Sequence, residues 1–131
     1  MKKSSAFTAL SIASVLTAVS MLFAVSSASA AKEDAIKEAM KTFHKAPKGV
    51  DPVCKKAGDG TASADELKKL VACYKEMAAA KPPKGDMSSW KEKTGKLLAA
   101  ATDLQKGKEG AAAKYKEAVN CKACHSVHKP D

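Results

Sequence analysis

The stretch Ser63-Ala-Asp-Glu-Leu-Lys-Lys-Leu-Val-Ala-Cys-Tyr-Lys-Glu-Met77 reads as one amphipathic helix. Ser63 and Glu66 stand three apart. That spacing lets the hydroxyl and the carboxylate each serve one of the backbone amides that a helix start leaves free. Leu67, Leu70, Val71, Tyr74 and Met77 then recur at helical spacing, so one face is apolar and the other carries charge. Pro82-Pro83-Lys84-Gly85 stops the helix.

Working outward from this segment, B, the same pattern repeats on both sides. Segment A, about Glu33 to Lys45, puts Ile36, Met40 and Phe43 on one face, and His44 shares much of it. Pro47 and Gly49 end it, and a loop through Gly58-Asp59-Gly60 leads to segment B. Segment C is expected to start near Ser88 or Ser89, where Ser89-Trp-Lys-Glu92 offers a second capping box. Its stripe is Trp90, Thr94, Leu97, Leu98, Ala101 and Leu104. After Gly107 and Gly110, segment D runs from about Ala111 to His125 as a single helix, with Ala111, Tyr115, Ala118, Val119 and Cys121 inward. No stretch shows sustained strand alternation. The class is all-α, and the short connections favour an antiparallel up-and-down four-helix bundle.

The first thirty residues read differently. Lys2 and Lys3 precede an apolar run from Ala6 to Val25, and Ala28-Ser29-Ala30 fits the small-residue rule for signal cleavage. Residues 1–30 are therefore expected to be a signal peptide, and 31–131 one small domain. Left uncut, the run would be a membrane anchor of near-spanning length. Either way the working part lies outside the cytoplasm, in the periplasm or otherwise exported from a bacterium. Without Lys2 and Lys3, 21 lysines face 14 carboxylates, a formal +7, with no arginine anywhere. The lysines alternate with acidic residues rather than forming a block. That distribution and the export signal argue against nucleic acid as a partner.

The apolar supply of the domain is thin. Phe43, Tyr74, Trp90 and Tyr115 are its only aromatics, and much of the rest is alanine. A core so sparse suggests that something else fills the interior.

The stretch Asn120-Cys-Lys-Ala-Cys-His125 supplies a candidate. Cys-x-x-Cys-His is the attachment signature of c-type haem. On a helix Cys121 and Cys124 project to one side, one turn apart, where they can form thioethers with the two vinyl groups. His125, four after Cys121, reaches the iron from the same side. A thioredoxin-like pair would want a strand before it. A zinc site would want four ligands, and adding Cys54 and Cys73 does not make the spacing of a zinc module.

A secreted helical chain with a single Cys-Lys-x-Cys-His on its last helix resembles cytochrome c-prime and the low-spin class II cytochromes c. Glu33-Asp-Ala-Ile-Lys37 looks like the start of that family's first helix, and Trp90 resembles a Trp that opens its third. The chain is shorter than the usual family domain and lacks the family's first-helix Arg. It also has His128 where an aromatic is usual. The resemblance implies one covalent haem c, with Cys121 and Cys124 as thioethers and His125 as proximal ligand. It also places the first helix across the distal face of the iron. Met40 is the best positional match for a distal ligand, and His44, one turn later, is the alternative.

A thioether opposite histidine raises the potential and suits one-electron transfer, so the expected function is an exported electron carrier, not an enzyme. An open distal face would instead make a binder or scavenger of nitric oxide or carbon monoxide, walled by Ile36 and Phe43. A peroxidase would want a distal His-Arg arrangement, and arginine is absent. Lysines near the haem edge, such as Lys122 and Lys129, would steer acidic redox partners. The resemblance leaves monomer and homodimer both open. His128, on the same helix as His125, is expected at the surface or as a neighbour tuning the haem edge.

Cys54 and Cys73 remain. In an oxidising compartment such a pair is expected to form a disulfide. It would close a loop of about nineteen residues, worth about 3 kcal/mol in chain-entropy terms.

Overall fold

The computed structural model describes residues 27–131, with side chains from residue 34 onward. The expected signal segment therefore lies, apart from its last four residues, outside the described residues. Six helices follow one another: α1 (Ser27–Thr42), α2 (Val53–Asp59), α3 (Ala64–Ala79), α4 (Met87–Gln105), α5 (Ala111–Ala118) and α6 (Cys121–His128). The described residues contain no strand, and the protein is all-α. None of the described helices is long and apolar enough to cross a membrane.

The reciprocal cap of segment B forms as its spacing predicts. Ser63 Oγ accepts from the Glu66 amide at 3.1 Å, and Glu66 Oε2 accepts from the Ser63 amide at 2.8 Å. Three boundaries differ from expectation. α4 starts earlier, because Asp86 and not Ser89 is the cap; its carboxylate accepts from the Ser89 amide at 2.8 Å. The loop before α3 holds the seven-residue α2, which Gly60 closes at φ 73° by donating its amide to the carbonyls of Ala57 and Lys56. That left-handed conformation strains any residue with a Cβ. Finally, the expected single segment D is two helices. Val119 leaves the helical region at ψ 39°, and Asn120 restarts the chain by accepting from the Ala123 amide at 3.0 Å. An Asn side chain competes with helix continuation in this way because it offers the backbone an alternative acceptor.

α3 and α4 pack along each other at the centre; α1 lies against α3, α5 against α4, and α2 bridges α5 and α3. The core between them is Ala39, Phe43, Ala57, Leu70, Tyr74, Met77, Trp90, Leu97, Ala100, Ala101 and Tyr115. All four aromatics of the domain are in it, as a chain with so few must arrange if it is to bury enough apolar surface.

Candidate haem-attachment site

The break at Asn120 turns the chain so that α6 closes one end of a cavity of about 740 Å³. Cofactor sites usually fall within about 300–1,000 Å³. Its walls come from four places. α1 and the turn after it give Ile36, Met40 and His44. α3 gives Met77. α4 gives Trp90, Lys93, Thr94 and Leu97, which follow its helical repeat. α6 gives Cys121, Cys124, His125 and His128. Every residue expected to attach or ligate a haem thus lines one space, although Met40 and His125 are 85 positions apart in the chain.

Cys121 is exposed, with its thiol 3.6 Å from the Val119 carbonyl. Cys124 is half-buried, and burial pushes its thiol up, partly offset by the nearby Lys93 charge. Both are free thiols, and His125 is exposed beside them. Across the cavity Met40 is half-buried against the core. His44 lies two residues past the end of α1, not within it, and its Nε2 is 2.9 Å from Tyr74 Oη. Burial, followed by the charge of His125, brings the His44 pKa down to about 4. It is therefore a neutral imidazole at pH 7, and it lies within electrostatic range of His125.

Lys37, Lys41, Lys45, Lys93 and Lys129 line the cavity, and among the described residues no carboxylate does. This rim suits a group with anionic substituents, as the carboxylates of a haem are. Lys122 is exposed but is not part of the lining. Among the described residues no three His, Cys, Asp or Glu side chains gather to enclose a bare ion. A porphyrin needs far less from the protein, since it brings four nitrogen donors and asks for one or two axial ligands. The donors present fit that demand better than they fit a zinc site.

Two further expectations concern Cys54 with Cys73, and His128, which lines the cavity rather than the outer surface. Cys54 and Cys73 are not joined; both are half-buried free thiols. Burial raises both. Cys54 also feels Cys121, whereas Cys73, brought to about 11, feels Glu76 and Glu38. The charged groups near the two thiols therefore differ. His128 is not at the surface; it is 2 % exposed. Its Nδ1 is 2.9 Å from the Lys84 carbonyl and its Nε2 3.1 Å from Ser89 Oγ. Its ring stands edge-on to Trp90 at 5.2 Å. Since a carbonyl can only accept, the proton is on Nδ1, and Nε2 accepts from the serine. His128 thereby ties α6 to the α3–α4 connection.

Sequence reasoning also missed the hydrogen-bonded pair Tyr74–Tyr115, whose hydroxyls are 2.9 Å apart in the core. One signal was available: both tyrosines sit on inner stripes, and a buried phenol needs a polar partner. Compared with known proteins, the chain matches no family model, no curated protein and no solved structure.

Proposed function

We propose that the domain is an exported monohaem c-type cytochrome that carries single electrons. On this reading the architecture is a four-helix bundle of α1, α3, α4 and α5–α6, with its fourth member broken so that the attachment motif turns across the cavity mouth. The observation that carries the reading is the convergence of Cys121, Cys124, His125, Met40 and His44 on the lining of one cavity of about 740 Å³. Haem c, when bound, supplies the one-electron couple. The protein's residues do the rest. Cys121 and Cys124 hold the group by thioethers, and His125 ligates from the α6 side. Ile36, Met77 and Leu97 exclude water from the interior. The cavity lysines balance the carboxylates and present a positive edge to acidic redox partners.

The decisive experiment is optical. The protein is produced in an exporting bacterium with the haem-attachment machinery, and oxidised and reduced spectra are recorded with and without carbon monoxide. A low-spin spectrum insensitive to carbon monoxide supports the carrier. A high-spin spectrum that shifts readily replaces it with a gas binder.

A further inference from the structure

Met40 and His44 both line the cavity, and the hydrogen bonds of His44 separate them. His44 Nε2 is 2.9 Å from Tyr74 Oη, and that oxygen is 2.9 Å from Tyr115 Oη. Both tyrosines are 0 % exposed. A phenol has one proton to give. Among the described residues, Tyr115 Oη bonds only to Tyr74. Were Tyr74 to donate to Tyr115, the Tyr115 proton would be left in the core with no acceptor, the costly outcome for a buried donor. The order that satisfies every group is Tyr115 donating to Tyr74 and Tyr74 donating to His44 Nε2. The Nε2 lone pair is then taken, and the ring proton sits on Nδ1.

An imidazole in that state has no free lone pair to offer a metal, because Nε2 is already bonded to Tyr74. To ligate, His44 would have to abandon Tyr74 and strip a fully buried hydroxyl of its acceptor. The rings also pack on each other, with centroids 5.6 Å apart. Met40, one turn earlier on the same wall, has a thioether with no such engagement among the described residues. The geometry points to Tyr74, braced by Tyr115, as a positioning residue that withholds His44 from the iron and so reserves the distal face for Met40. The inference rests on the haem reading above and names what selects between its two distal candidates.

The test uses the matured holoprotein. Wild type is expected to show the sulfur-to-iron charge-transfer band. Tyr74→Phe, which keeps the ring and removes the hydroxyl, is expected to lose that band and lower the reduction potential as His44 binds. Adding His44→Ala to Tyr74→Phe restores the band, and His44→Ala alone leaves it in place. A Tyr74→Phe protein with an unchanged band and potential overturns the inference, as does a wild type without the band. Wild type with no covalent haem is a different failure, because it removes the haem reading itself. Should Tyr74→Phe not fold, nitrogen NMR of reduced wild type reads the His44 ring directly. Protonated Nδ1 with a hydrogen-bonded Nε2 is expected, and an iron-bound or protonated Nε2 overturns the inference.

Discussion

The α1 wall of the cavity is held by packing, whereas the α6 wall is held by a few polar contacts. Ala39 and Phe43 are both part of the buried core, so the turns that carry Met40 and lead to His44 are anchored against α3. α6 has eight residues, and His128 is the only one of them buried. Its anchorage is the Asn120 cap, the two hydrogen bonds of His128 and the edge contact with Trp90. An isolated helix of that length is marginal in water. The difference teaches that the α1 wall is preformed by the fold, while the α6 wall is one that a covalently bound group would seat and stiffen.

The largest effect is expected where the packed wall is cut. Phe43→Ala should cost about 3–5 kcal/mol, read as a lower urea midpoint for the whole domain. A loss confined to α1, with α3–α4 unchanged, would break the comparison.

Next comes acid. Burial brings the folded His44 pKa down to about 4, below the ordinary histidine value of about 6.5, so the unfolded chain takes up its proton first. Its contribution is full above about pH 6.5 and declines as pH falls toward about 4, by at most about 3 kcal/mol. Urea midpoints measured across that window should fall more steeply in wild type than in His44→Phe. Equal slopes would mean that His44 is not held neutral.

His128→Ala should cost less, about 1–3 kcal/mol, and locally. Hydrogen exchange should speed up over residues 121–128 while α1 and α3 keep their protection. A uniform loss across the domain would show that α6 is as integral as α1. Smaller again, about 1–2 kcal/mol, is Gly85→Ala, read as a modest fall in the urea midpoint. Gly85 has φ 81°, and a Cβ there would meet His128 Nδ1 at 2.8 Å and the Val127 carbonyl at 2.9 Å, so backbone strain and a clash add. No change in that midpoint would mean that the latch has room to give.

Much of this was legible locally. The spacing of Leu67, Leu70, Val71, Tyr74 and Met77 places α3, and Ser63 and Glu66 mark its start, because periodicity and capping are short-range physics. Cys121, Cys124 and His125 were legible as a signature. α2 was not, since seven residues ending in Gly58-Asp59-Gly60 are too few to establish a period. The break at Asn120 was masked by the inward stripe that runs straight through it from Tyr115 to Cys121. The burial of His128 depends on Lys84 and Ser89, both about forty residues away, and no local pattern carries that. The Cys54–Cys73 expectation rested on the oxidising compartment and an even count, and both thiols are free in the structure; sequence separation alone carries no information on how two thiols are oriented.

The central claim is most directly tested by the mass of the peptide containing Cys121 to His125, taken from protein matured with the haem-attachment machinery. The account predicts one haem held by two thioethers, surviving denaturation. Recovery of Cys121 and Cys124 as free thiols, or joined to each other, would contradict it.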